Sequence, residues 1–190
     1  MPEPVVRLAS PEDAEAMRRI YAWYVENTAI TFEYEPPAPE EFRRRVTETL
    51  KKYPWVCLED EGQVCGYAYA SAFRTRAAYA WSAETSIYLA RDRQGRGWGR
   101  LLYERLEEYC RAMGLQTLFA CITSPRGEDP YVTDRSLRFH RRAGYEPAGL
   151  LPFCGCKFGR WYDTAYMVKH LGDHPASPPQ VVPFPERKTI

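Results

Sequence analysis

Gln94-Gly95-Arg96-Gly97-Trp98-Gly99-Arg100 follows a strand-like run and opens a helix-like one, and its reading decides the fold. Glycines let a backbone turn tightly and approach a ligand closely. A helix N-terminus presents unpaired N–H groups at the positive end of the helix dipole. The heptapeptide therefore reads as an anion site, with Arg96 and Arg100 adding charge around it. A helix start with flexible glycines and no ligand is the plain alternative. Two other phosphate motifs fail on the residues. A P-loop needs Lys-Ser or Lys-Thr after its last glycine, whereas Gly99 is followed by Arg100-Leu101. The dinucleotide fingerprint needs glycine at position 100, within an early β-α-β unit.

On the N-terminal side, residues 5–9 alternate as a short strand. Ser10-Pro11-Glu12-Asp13 then supplies an N-cap, a proline at the first helical position and acids in the first turn. A helix to about Thr28 follows, with Ala14, Met17, Ile20, Tyr21 and Tyr24 at helical spacing. The prolines at 36, 37 and 39 mark a loop, and residues 39–53 read as a second, charged helix. From Trp55 the period becomes that of strands: residues 55–59, a Glu61-Gly62 turn, and residues 63–73. In that hairpin Val64, Gly66, Ala68 and Ala70 should share one face, and Cys65, Tyr67 and Tyr69 the other. Residues 79–89 read as a fourth strand ending at the glycine run.

On the C-terminal side, the helix opened by the glycines runs to about Gly114 and buries Leu102, Leu106, Tyr109, Cys110 and Met113. A strand over 117–122, a polar loop over 124–132, a helix over 134–143 and two strands around 150–157 and 161–169 complete the pattern. The order β-α-α-β-β-β-α-β-α-β-β describes a mixed α+β domain on one sheet. Residues 1–171 read as that domain, and residues 172–190 as an extended, proline-rich tail.

The 190 residues include 26 basic and 25 acidic side chains, a formal charge of +1. That balance offers no general attraction to nucleic acid or anionic membranes, so a small molecule is the expected partner. No apolar stretch approaches the roughly 20 residues needed to span a bilayer, and the N-terminus lacks a signal-peptide pattern; a cytoplasmic protein is expected. Six cysteines occur without CxxC pairs or a His-containing ligand spacing, which suggests free buried thiols and no metal.

Gln94-x-x-Gly97-x-Gly99 resembles the acetyl-CoA signature of the GNAT N-acetyltransferases, Gln/Arg-x-x-Gly-x-Gly/Ala. Further stretches are similar to the phosphinothricin acetyltransferase branch: Tyr53-Pro54-Trp55, residues 79–89, Ser136-Leu137-Arg138-Phe139-His140 through Gly144-Tyr145, and residues 157–163. The resemblance runs from about Val5 to Leu171. It implies the GNAT fold, a mixed sheet of about seven strands flanked by helices, with acetyl-CoA as co-substrate and no metal. It places Ile87, Tyr88 and Leu89 along the pantetheine arm. It places Gln94, Gly95, Arg96, Gly97, Trp98, Gly99 and Arg100 around the pyrophosphate, and Thr133 where the branch often has an asparagine on the CoA arm. It also implies a homodimer.

Acetyl transfer to an amine requires the amine to lose a proton. Glu84, within a run of otherwise uncharged residues, is the candidate base, and His140 the candidate acid or base at a position the resemblance sets beside the cofactor. The resemblance places Arg76 and Tyr79 beside the acceptor, where a guanidinium would suit a carboxylate of an amino-acid-like molecule bearing a second acidic group. Phe32, Tyr34 and Lys157 are expected at the wall or rim of the pocket. The resemblance implies a small amino-acid-like acceptor of the phosphinothricin or methionine sulfoximine type. Other amines (protein N-termini, aminoglycosides, polyamines) and a non-catalytic acyl-CoA sensor are the alternatives.

Overall fold

The computed structural model describes residues 3–187. Its elements are β1 (Val5–Leu8), α1 (Ala14–Asn27), α2 (Pro39–Leu50), β2 (Trp55–Asp60), β3 (Gln63–Ala72), β4 (Ser82–Leu89), α3 (Trp98–Met113), β5 (Thr117–Ser124), α4 (Arg135–Arg142), β6 (Glu146–Lys157) and β7 (Arg160–His170). The strands form one sheet in the order β1-β2-β3-β4-β5-β7-β6. Every pairing is antiparallel except that of β4 with β5.

Local chemistry explains where the chain turns. A 3₁₀ turn, Pro11–Asp13, leads into α1, and the Asp13 carboxylate accepts both the Ser10 N–H at 2.8 Å and a two-pronged bond from Arg7. Two cores lie on opposite faces of the sheet. Met17, Ile20, Tyr21 and Tyr24 of α1 join Phe42 and Val46 of α2 over Trp55, Cys57 and Tyr67. On the other face Leu102, Leu106, Cys110 and Met113 of α3 cover Val56, Leu58, Ala68 and Ala70. Each fully buried Val, Leu or Met among them contributes roughly 1.5–3 kcal/mol of burial free energy.

Several boundaries and one strand register differ from the sequence reading. The fourth strand begins at Ser82, because Tyr79 and Ala80 give their N–H groups to Arg76 and Ala77 in a 3₁₀ turn. The second helix stops at Leu50, and β6 starts earlier than its hydrophobic run, at Glu146. Val64 and Cys65 exchange faces: the β2–β3 register slips between Leu58 and Glu59, leaving Cys65 as an extra residue that points into the α3 core. Tyr109 is half-buried rather than core, and Tyr103 and Glu107 take buried places on α3. None of the six cysteines is disulfide-bonded, yet Cys121 and Cys154 are exposed and Cys156 is partly so, which corrects the expectation of uniformly buried thiols.

The chain after β7 is extended but held. Val182 N–H donates to Met113 O, Phe184 N–H to Lys52 O, and the Trp81 indole N–H to Pro179 O at 2.7 Å. Phe184 is buried, with its ring 4.8 Å from that of Tyr109. Among the described residues no helix is long and apolar enough to cross a membrane, and no three His, Cys, Asp or Glu side chains cluster as a metal site.

The feature that matters for function is a fork. β4 and β5 pair only from Ser82↔Thr117 to Glu84↔Phe119. Beyond that point β4 continues to Leu89 against β3, and β5 to Ser124 against β7. The strands part and leave a cleft between them.

Candidate active site at the fork of the sheet

The cleft is lined by Thr85 to Tyr88 of β4, Ala120 to Thr123 of β5, Ile30, Tyr103 of α3, and Ser136 and His140 of α4. The glycine run lies past the end of β4, as the sequence suggested. Gly95 and Gly97 have φ of +79° and +82°, and a Cβ built on either meets nothing within 4 Å, so space is open in front of this backbone. Gly99 differs: a Cβ there would lie 2.9 Å from the Phe139 ring, so this glycine also lets α3 and α4 pack closely. Arg96 lies over the buried Trp98 ring at 5.2 Å, and the exposed Arg100 pairs with Glu104. The Gln94 amide donates to Tyr24 Oη at 2.8 Å, and that hydroxyl donates to Leu89 O at 2.6 Å. Gln94 thus locks the end of β4 instead of facing the open space. Thr133 is exposed, and its hydroxyl accepts the Arg135 N–H at the start of α4.

Glu84 sits where the strands separate, opposite Ser71 on β3 and Phe119 on β5. It is half-buried, and burial pushes its carboxyl above the usual carboxylate range while the charge of Arg74 pulls it back. Its face of the sheet carries an aromatic group: Phe73 stacks on Phe119 at 4.1 Å and meets Tyr79 and Tyr166 edge-on. Arg74 lies 4.3 Å over Phe73.

His140 occupies the other face. Its Nδ1 is 2.8 Å from Ser136 O, which can only accept, so Nδ1 carries the proton. Nε2 then accepts from Tyr103 Oη at 2.8 Å. Thr85, the neighbour of Glu84 on β4, donates to Phe119 O at 3.2 Å and accepts from Tyr145 Oη at 3.0 Å. The network is closed and neutral, and burial pulls the imidazole down to about 4. Glu84 and His140, expected to share proton work, are separated by the alternation of β4.

Of the expected acceptor residues, Arg76 and Tyr79 lie on the exposed turn before β4. Phe32 covers Gly155, where a Cβ would meet its ring at about 2.2 Å, and Tyr34 donates to Cys156 O at 2.6 Å. Lys157 is buried, and its ammonium gives bonds of 2.7 and 2.8 Å to Val25 O and Thr31 O. These three residues fasten the loop after α1 to the end of β6, so that Ile30 walls the cleft. Sequence reasoning missed Arg74, Thr85, Tyr103 and Tyr145. Arg74 lies in a segment with no periodicity to flag it, and the hydroxyls are brought together by three separate elements.

Residues 6–166 match the family model described as Acetyltransferase (GNAT) domain. A phosphinothricin N-acetyltransferase of Streptomyces viridochromogenes is 33% identical over 94% of this chain and 93% of its own length. An L-methionine sulfoximine/L-methionine sulfone acetyltransferase of Salmonella typhimurium is 30% identical, over 90% and 96%. The crystal structure of a GNAT superfamily phosphinothricin acetyltransferase from Sinorhizobium meliloti in complex with AcCoA superposes with a TM-score of 0.85 at 37% identity, covering 96% of each chain.

Proposed function

This chain belongs to the GNAT acetyltransferase family, and from that premise we propose that it moves an acetyl group from acetyl-CoA to the amino group of a small amino-acid-like acceptor, of the phosphinothricin or methionine sulfoximine type. The observation that carries this reading is the fork with Glu84 at its apex and an open glycine-rich turn at its mouth. A strand edge released from its neighbour offers backbone groups to an extended, amide-bearing arm, as in strand addition. An unfilled bend at a helix N-terminus suits a diphosphate.

In this reading Ile87, Tyr88 and Leu89 run along the pantetheine arm, and Gly95 to Arg100 hold the pyrophosphate with Gln94 setting the loop. Thr133 lies beside the arm at the start of α4. Acetyl-CoA supplies the acyl group as an activated thioester. Glu84 takes the proton from the acceptor's ammonium, directly or through water, and its upward shift brings a carboxylate closer to the range of a useful base. Arg74, with Arg76 and Tyr79, receives the acceptor's carboxylate. His140 shapes the wall of the cleft as a neutral group, since both ring nitrogens are already used.

The catalytic unit is residues 1–171, with the tail strapped across its back, acting in the cytoplasm as a homodimer. β6 is a sheet edge exposing Leu150, Leu151 and Phe153 next to Trp161, a surface suited to a second copy of itself. The activity is tested by following thiol release from acetyl-CoA across amino acids, their sulfone, sulfoximine and phosphinate analogues, polyamines and peptides. The reading predicts turnover concentrated on free amino acids. Turnover confined to peptides or polyamines, or coenzyme A binding without any turnover, would overturn it.

A further inference from the structure

Residues 171–187 cross the end of the sheet at which β4 and β5 are still paired, the end opposite the mouth of the cleft. Leu171 N–H donates to Gln116 O at 2.7 Å, and Thr117 Oγ1 and His174 Nε2 are 2.7 Å apart. Further on, Pro179 O accepts the Trp81 indole N–H, Met113 O accepts Val182 N–H and Lys52 O accepts Phe184 N–H. Gly114 ends α3 with φ of +90°, and a Cβ there would lie 3.3 Å from Gln180 O, so the same glycine lets the tail pass close to the helix end. Leu171 and Val181 pack against the core under α3, and Phe184 is buried within it. The tail therefore bridges four places: the ends of α2 and α3, the start of β5 and the turn before β4.

Trp81 is where this strap meets the acceptor side of the molecule. It stands between the 3₁₀ turn Ala77–Tyr79 and the first residue of β4. Its carbonyl accepts the N–H groups of Gln116 at 2.9 Å and Thr117 at 3.2 Å, and its indole N–H goes to the strap. These bonds sit directly behind Ser82↔Thr117, the first of the three register pairs that join β4 to β5, and Glu84 is in the last of them. We propose that the C-terminal strap is a positioning element of the acceptor site: gripping Trp81, it holds the turn that carries Arg76 and Tyr79 in register with Glu84. The proposal rests on the amino-acid acetyltransferase reading and extends it to a segment that contributes no residue to the lining of the cleft. With Trp81 released, an acceptor must order the turn as it binds, and its apparent affinity falls accordingly. Acetyl-CoA, read as lying at the other end of β4 and on the glycine run, is insulated from that change.

The test uses the full chain with saturating acetyl-CoA and methionine sulfone as acceptor. Trp81→Phe removes the indole N–H and keeps a ring, whereas Phe184→Ala unseats the far anchor of the strap. The first is expected to raise the sulfone KM about fivefold, the size of one hydrogen bond, and the second at least as much. KM for acetyl-CoA should stay within about twofold in both. Because both substitutions act through one strap, the double variant should be no worse than Phe184→Ala alone. Hydrogen exchange without substrate gives an independent readout: the Gln116 and Thr117 amides, which donate to Trp81 O, should exchange faster in both variants. Lower urea midpoints with an unchanged sulfone KM would make the tail a stabiliser only and overturn the proposal. Unaltered exchange at residues 116 and 117, or equal rises in the two KM values, would do the same. A wild type that binds coenzyme A but turns over no amino acid refutes the acceptor reading and the strap's role with it, whereas failure of the strap alone leaves wild-type turnover intact.

Discussion

Glu84 and Thr85 are neighbours on one strand and live in opposite chemical worlds. The Glu84 face is open: a half-buried carboxylate, a guanidinium close enough to shift it, partly exposed stacked rings and a cavity under α2. The Thr85 face is closed: Thr85, Tyr103, Tyr145 and His140 give their protons to one another and to two backbone carbonyls, with no donor left over. On that contrast we propose that the carboxylate is the working group and the histidine part of the wall.

The largest expected effect tests that division. Glu84→Gln keeps size and polarity but removes the base, and kcat for a good acceptor should fall about 10²-fold or more. His140→Gln should leave kcat within about tenfold of wild type. Steady-state kinetics with saturating acetyl-CoA checks both, and the reverse ranking would break the contrast between the faces.

The next effect is on stability. The His140 imidazole is held down to about 4, whereas in the unfolded chain it titrates near 6.5. Between those values the unfolded state binds a proton that the native state refuses, so stability falls as pH drops through this window. The contribution is about 3 kcal/mol, fully present above pH 6.5 and lost by about pH 4. Urea unfolding at pH 7 and pH 4.5 should show a steeper acid loss for wild type than for His140→Gln, and parallel curves would mean that the ring is not kept neutral.

How much of this was legible in the sequence follows the same division. The glycine run, the strand preceding it and the α3 helix could be read because they depend on backbone conformation, which local residue types dictate. The order of strands and helices was legible for the same reason. What escaped depends on contacts between distant segments. The exchange of Val64 and Cys65 needs a register slip against β2, and periodicity cannot see it. Gly99 was read with the ligand loop, and its close packing against Phe139, forty residues on, could not be seen in the run itself. His140 could be found but not understood, since its role is set by Tyr103 and by the Ser136 carbonyl.

A third measurement sharpens the open face. Arg74 lowers the Glu84 carboxyl by its charge, against the upward push of burial. Arg74→Ala should therefore move the acid limb of kcat/KM to higher pH, and raise the acceptor KM about tenfold through loss of a charge-assisted contact. Acetyl-CoA KM should not change. A pH profile that stays in place would show that Arg74 does not sense the base.

The smallest effect belongs to the closed face, and it separates a wall from a machine. Tyr103→Phe removes the hydroxyl that donates to His140 Nε2 and leaves the ring's volume in place. The buried Nε2 then loses its only donor among the described residues, which costs about 1–2 kcal/mol. Urea midpoints at pH 7 should fall by that amount at unchanged slope, because the same surface is exposed on unfolding. If His140 is only a neutral support, kcat and its pH dependence should be those of wild type. If instead Tyr103 and His140 relay a proton to the cleft, breaking the link would lower kcat far more than stability. The ratio of those two losses, more than either alone, decides which face of β4 does the chemistry.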